Sequence, residues 1–177
     1  SLRRFIAEEI TPYHHEWERA GIVPRALWRK AGEAGFLCTA VPEEYGGGGG
    51  DFLHSAIMVE EMARAGATGP TFYLHSDIMA PYLVHFGTEE QKRKWLPKMV
   101  SGEVIVALGM TEPQSGSDVQ NIRTSAIRDG DDYVINGQKV FITSGHNADL
   151  VVLACKTDPS EKAKGVSLIL VETDRPG

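Results

Sequence analysis

Near Gly102 the spacing of apolar residues changes abruptly, and this switch constrains the fold more than any other feature of the chain. Before it, apolar residues recur every three or four positions, the period of one helical face. After it they recur every second position and β-branched residues dominate. Leu2, Phe5, Ile6, Ile10, Tyr13 and Trp17 mark a first helix that Pro12 should kink or interrupt, because proline has no N–H to donate. Pro24 reads as the first residue of a second helix, with Leu27, Trp28, Ala31 and Ala34 on one side and Gly35 as its stop. Residues 36–42 read as an extended apolar link and the glycines at 46–50 as a mobile surface loop. Residues 55–65 and 72–86 read as apolar helices separated by Gly66, Gly69 and Pro70. Thr88-Glu89-Glu90-Gln91 matches a capping box opening a helix that runs to about Val100.

Beyond Gly102, strands are expected over residues 104–110, 123–128, 133–135, 139–143, 150–155 and 166–171. Asp129-Gly130 and Asn136-Gly137 both favour the positive φ of tight hairpins. The expected class is therefore α+β: an all-α helical domain over residues 1–102, then a mostly antiparallel β domain over 103–177, read as a meander of about six strands.

Charge narrows the partners. With 18 Lys+Arg against 24 Asp+Glu and a net charge of −6, no concentrated positive face exists for nucleic acid or an anionic membrane. The longest purely apolar run, residues 150–155, is far short of the roughly 20 residues a bilayer helix needs. Cys38 and Cys155 stand in apolar settings and read as buried thiols of a reducing compartment, although spacing alone does not forbid their pairing. An amphipathic pattern from the first residues suggests no secretory leader, so a soluble cytoplasmic protein is expected.

Several chemistries fail on spacing. His14-His15-Glu16 cannot converge on one metal, because helix neighbours point about 100° apart, and a solvated helix face is the expectation there. The glycine run lacks the Lys-Ser/Thr ending of a phosphate loop and the last glycine of a dinucleotide fingerprint. Ser144-Gly145-His146 lacks the glycine flanks of a nucleophile elbow. Two segments remain. Thr111-Glu112-Pro113-Gln114-Ser115-Gly116-Ser117-Asp118 follows a strand and gathers hydroxyls and amides into one turn, suited to an anionic or heteroaromatic group. A turn satisfied by its own bonds is equally compatible with that composition. Phe141-Ile142-Thr143-Ser144-Gly145 puts an aromatic and a hydroxyl on one strand face, though spacing alone favours a core aromatic beside an edge threonine.

Taken together, these segments resemble the acyl-CoA dehydrogenase family. Its T-E-P-x-x-G-S-D turn, I-N-G-x-K hairpin and aromatic-I-T/S-x-G segment stand here, in order, as residues 111–118, Ile135-Asn136-Gly137-Gln138-Lys139 and residues 141–145. Pro42-Glu43-Glu44-Tyr45-Gly46-Gly47 and the Gly87-Thr88-Glu89-Glu90-Gln91-Lys92 helix start also fit, and residues 36–80 most resemble the long-chain branch. The resemblance implies an FAD oxidoreductase that converts acyl-CoA thioesters to trans-2-enoyl-CoA in fatty acid β-oxidation, with an electron-transferring flavoprotein as acceptor. FAD would lie between the β domain and a helical bundle. Leu108 and Met110 would meet the flavin through backbone groups, Thr111 would bond the ring, and Gly116 and Ser117 would complete the turn, Ser117 also touching the acyl-CoA. Phe141 would cover the ring, with Ile142 and Thr143 lining it.

Three departures shape the expectations. Gln114-Ser115 replace a frequent Gly-Ala, so a left-handed φ there would cost about 1 kcal/mol or more. Phe141 stands where many members have tryptophan. The C-terminal helical bundle that carries the family's catalytic glutamate and most of its oligomer contacts is absent, so no catalytic residue is assigned within residues 1–177. The chain by itself is expected to be an inactive fragment of a homotetramer or homodimer. Glu112 is expected to bond its own turn rather than act as base. An acyl-CoA oxidase or flavin monooxygenase on the same scaffold, or a non-catalytic interaction module, are the alternatives. Gly66, Gly69 and Pro70 would deepen an acyl tunnel, unless they form an ordinary helix–helix turn.

Overall fold

The computed structural model describes residues 1–175, so the Pro176-Gly177 end of the expected β domain lies outside the described residues. The chain divides into two compact units, Ser1–Ile105 and Val106–Gly177. The first is helical. α1 (Leu2–Phe5) runs into a wider π turn over Ile6–Ile10, and the chain breaks at residues 11–13 before α2 (His14–Ala20). Pro12 is the reason: with no N–H it cannot extend the ladder, which ends on the Thr11 N–H donating five residues back to the Ile6 carbonyl. Pro24 is the cap rather than the first residue of α3 (Arg25–Glu33), and Gly35 ends that stretch at φ +74°. α4 (Phe52–Arg64) begins three residues earlier than its apolar spacing indicates, because the Asp51 carboxylate accepts from the Leu53 N–H and caps it. A π turn (Leu74–Met79) leads into α5 (Ala80–Phe86). The capping box of Thr88 and Gln91 opens α6 (Glu89–Val100) as expected, with both reciprocal bonds made.

At the centre of this unit Trp28 is buried edge-on against Phe72 and His75, with centroids 5.0 and 5.3 Å away. His75 is itself fully buried and bonds the Met99 carbonyl through Nε2 at 3.1 Å. Burial holds its imidazole down at about 4, partly opposed by that bond, so it is neutral in the folded core.

Three expectations for this unit need correction. Residues 36–42 are a tight turn rather than an extended link. Cys38 takes a left-handed φ of +52°, the Val41 N–H returns to the Cys38 carbonyl, and Leu37, Cys38 and Val41 all become buried. The glycine run is likewise pinned rather than mobile. Gly49 and Gly50 donate to the carbonyls of Val41 and Thr39, and a Cβ on Gly47 would stand 2.0 Å from the Val41 oxygen. Tyr45, buried beside it, donates its hydroxyl to the Glu89 carboxylate at 2.9 Å. His14 is half-buried rather than solvated: its ring lies against the space where a Gly69 Cβ would stand 3.1 Å from Cε1. Gly69 faces His14 and Val23, a contact that an ordinary helix–helix turn makes.

The second unit carries β1 (Val106–Gly109), β2 (Ser125–Asp129), β3 (Asp132–Asn136), β4 (Leu150–Lys156) and β5 (Val166–Glu172). β2 and β3 form the hairpin expected at Asp129-Gly130, its two-residue loop opened by Gly130 at φ +61°. β4 pairs antiparallel with β5 along its whole length. Its other edge takes β1 in parallel along residues 150–153 and β2 in parallel at Lys156. A simple meander is therefore wrong, although antiparallel pairing dominates. The sixth strand, residues 139–143, does not form among the described residues, and Asn136-Gly137 is not a hairpin. The cause is a close approach across the hairpin: a Cβ on Gly137 would sit 2.2 Å from Thr124 Oγ1, so the chain presses against Thr124 and then leaves the sheet.

Candidate functional site

Both segments singled out by their chemistry lie in the second unit, and one buried carboxylate joins them. Downstream of β1 the chain folds back on itself, with the Glu112 N–H donating to the Ser115 carbonyl at 2.9 Å and the Ser115 N–H returning to Glu112 at 3.1 Å. The Ser115 hydroxyl then donates to the Asp118 carbonyl at 2.6 Å, closing the turn. Neither Gln114 nor Ser115 needs a left-handed φ, so the strain expected from these larger residues does not arise.

Glu112 is 4% exposed, and its two oxygens accept four donors. Oε2 receives the Arg123 N–H at 2.6 Å and Gln114 Nε2 at 2.5 Å. Oε1 receives the Thr124 N–H at 2.9 Å and Lys139 Nζ at 2.8 Å. Burial alone would raise its carboxyl, but Lys139 and the two main-chain N–H groups outweigh that and hold it at about 2. Glu112 is therefore an ionised, fully bonded anchor of its turn, as its sequence context suggests. Such a carboxylate has no lone pair left to abstract a proton.

Lys139 is the residue the sequence reading missed. Its Nζ donates to the Met110 carbonyl at 3.0 Å as well as to Glu112, and the next residue's N–H, from Val140, donates to the Thr111 carbonyl at 3.0 Å. The available signal was its place at the end of the Ile135-Asn136-Gly137-Gln138-Lys139 motif, ahead of the apolar Val140-Phe141-Ile142, since a lysine that becomes buried requires a carboxylate partner. Through these bonds residues 110–112 and 139–140 become neighbours although Glu112 and Lys139 stand 27 positions apart.

The segment that follows is a turn rather than a strand, which corrects the expected pairing of Phe141 and Thr143 on one strand face. Phe141 has φ +56° and Ser144 φ +60°, with the Gly145 N–H closing on the Ile142 carbonyl at 2.9 Å. A bulky residue in the left-handed region costs about 1–2 kcal/mol, and strain of this kind gathers at binding and catalytic sites. Phe141 gains no packing in return, for it is 94% exposed. Thr143, Gly116 and Ser117 are also exposed, whereas Leu108, Met110, Thr111 and Ile142 are half-buried. Gly116 has neither a positive φ nor any atom within 4 Å of where its Cβ would stand. Nothing within the described residues demands glycine there, so the open space suits close approach by a bound group. β1 pairs only with β4, so it is an edge strand among the described residues and its other edge can meet a ligand through backbone groups. Beside the turn, Gly109, Lys139, Ile142, Gly145, Val151 and Leu153 line much of a cleft of about 550 Å³.

In the first unit, the half-buried carboxyl of Asp77 is raised by burial and accepts from the Ser55 hydroxyl at 2.6 Å. Cys38 and Cys155 are free and buried, as expected, and burial pushes the Cys38 thiol up to about 12. Among the described residues no helix is long and apolar enough to cross a membrane.

Two family models cover the chain: the N-terminal domain of acyl-CoA dehydrogenases over residues 1–103 and the middle domain over residues 107–177. A long-chain specific acyl-CoA dehydrogenase, mitochondrial, from Rattus norvegicus is 49% identical over 179 residues, covering 100% of this chain and 42% of the relative. The crystal structure of an acyl-CoA dehydrogenase from Geobacillus kaustophilus matches with a TM-score of 0.95 at 52% identity, covering 99% of this chain and 47% of that one. A glutaryl-CoA dehydrogenase from Mycobacterium smegmatis, solved in complex with FADH2, matches with a TM-score of 0.90 at 30% identity over 99% of this chain and 44% of that one. The chain thus spans less than half the length of these relatives.

Proposed function

Because the chain belongs to the acyl-CoA dehydrogenase family, we propose that it is the N-terminal and middle part of an FAD-dependent acyl-CoA dehydrogenase acting on long straight acyl chains. One observation carries the reading: a rigid turn anchored on Glu112 is bonded to a second, strained turn that holds an aromatic ring in solvent. The residues fit a flavin. The open space at Gly116, the exposed hydroxyls of Ser117 and Thr143 and the exposed Phe141 face together suit a flat heteroaromatic ring with polar edges. When bound, FAD supplies the acceptor for the hydride leaving the β-carbon of the acyl-CoA.

Each residue then has a part. The Met110 carbonyl is occupied by Lys139, so the backbone of this segment offers its N–H groups to the ring, and the Thr111 hydroxyl adds a donor. Such donors, fixed before the reaction, stabilise negative charge developing on the ring at no reorganisation cost. Leu108 offers the outer edge of β1, while Phe141 and Ile142 shield one face from water. Ser117 would touch both the flavin and the acyl-CoA. The α-proton needs a base, and Glu112 is excluded by its four donors. That base lies in the part of the relatives this chain does not span, and the 177-residue chain alone is proposed to be inactive. An electron-transferring flavoprotein as acceptor and a homodimeric or homotetrameric full-length protein complete the proposal. The mitochondrial relative leaves the compartment as one that keeps Cys38 and Cys155 reduced, the cytoplasm being the sequence-based choice.

Purification of the natural full-length product tests the reading. It should carry flavin absorbance that bleaches on adding a long-chain acyl-CoA, and electrons should pass to an electron-transferring flavoprotein. Colourless protein without acyl-CoA-dependent bleaching would refute it, and rapid oxygen consumption would assign an oxidase instead.

A further inference from the structure

We propose that Glu112 and Lys139 are positioning residues: their buried ion pair locks the Thr111 and Phe141 turns into one preorganised surface for the flavin ring. The proposal rests on the flavin reading above and deepens it. The geometry has three parts. Glu112 and Lys139 side chains are 2% and 10% exposed and meet at 2.8 Å. Glu112 also takes the N–H groups of Arg123 and Thr124, so its position is set by the residues leading into β2 as well as by its own turn. Lys139 donates its second bond to the Met110 carbonyl, which fixes the plane of the Met110–Thr111 peptide.

The second turn is tied to the first at its start. Phe141 and Ser144 hold left-handed backbone conformations, and Phe141 gains nothing from packing. Strained conformations persist only where their surroundings over-determine them. The residues just before Phe141 contribute to this, with Lys139 held by Glu112 and Val140 donating to the Thr111 carbonyl. Loss of the lysine would free the Met110 peptide to rotate and let the Phe141 turn relax. Both changes would misplace groups that need sub-ångström placement to act on a bound ring. A buried pair broken on one side leaves a lone charge, whereas removing both charges with similar shapes leaves none. The two cases separate damage to the fold from damage to the site.

The experiment uses full-length protein carrying Lys139→Met, Lys139→Arg, or Glu112→Gln with Lys139→Met together. Hydrogen exchange is followed on the apo forms, and FAD affinity by flavin fluorescence. The double variant should remain folded, with exchange in β4 and β5 unchanged. It should nevertheless show roughly tenfold or faster exchange in both residues 110–118 and 140–147, and roughly tenfold or weaker FAD binding. Lys139→Arg should recover most of both, because a guanidinium can still bridge the carboxylate and the carbonyl. Faster exchange confined to one turn, unchanged FAD affinity, or no recovery in Lys139→Arg would overturn the proposal. Wild-type protein with no FAD affinity would bring down the flavin reading instead, leaving the exchange data to decide whether the ion pair couples the turns.

Discussion

Acidification should weaken the helical unit through a single buried imidazole. His75 is fully buried, and its folded value of about 4 lies below the ordinary 6.5. The unfolded chain therefore takes up a proton as pH falls through 6.5, while the folded chain refuses it until about 4. Between these values the unfolded state holds more protons, so stability falls as pH falls. From pH 7.5 to 5, where carboxylates are still largely ionised, roughly 1.5 pH units of this difference are expressed. At 1.36 kcal/mol per unit, that is about 2 kcal/mol. All three tryptophans, Trp17, Trp28 and Trp95, lie in the first unit, and Trp28 touches the His75 ring, so their fluorescence reports this unit selectively. The urea midpoint should drop by about 0.7–2 M between pH 7.5 and 5, given m values of about 1–3 kcal/mol per M. His75→Gln, whose amide can still reach the Met99 carbonyl, should be flat over the same range. An identical drop in both proteins would assign the effect to other groups and refute the reasoning.

The second unit should respond in a lower window. Glu112 is held at about 2 against an ordinary 4.5, so its stabilisation is complete above pH 4.5 and is lost as pH falls toward 2. Amide exchange at Arg123 and Thr124 should accelerate there, and Glu112→Gln should already show fast exchange at pH 7. Two glycines should behave oppositely. Gly137→Ala drives a Cβ to within 2.6 Å of the Thr124 Cα and should cost about 2–3 kcal/mol by thermal unfolding, whereas Gly116→Ala should change stability by less than about 0.5 kcal/mol yet weaken FAD binding. Phe141→Gly should leave stability equal to the wild type or up to about 1 kcal/mol higher in denaturant titration, since a left-handed position is relieved and little packing is lost, while flavin retention falls. Cys38 should resist alkylation in native protein and react fully only after unfolding, and rapid native labelling would contradict its burial.

What the residues alone determined was everything that local periodicity and turn chemistry control. The switch at Gly102, the break at Pro12, the capping box at Thr88 and the Asp129-Gly130 hairpin depend on neighbours within a few positions, and all appear in the structure. The ordered motifs were legible for the same reason, being short runs of fixed residue types. Tertiary structure decided where local preference and distant packing compete. Asn136-Gly137 has the composition of a hairpin, yet Gly137 serves close approach to Thr124, and the strand expected after it becomes the Phe141 turn. The glycine run looks flexible in isolation and is fixed by carbonyls of residues 39–43. The same holds for the site, because the bond between Glu112 and Lys139 spans 27 residues. No pattern of spacing encodes it; it exists because β1, β2 and β3 bring their ends together, and only there does burial make each charge require the other.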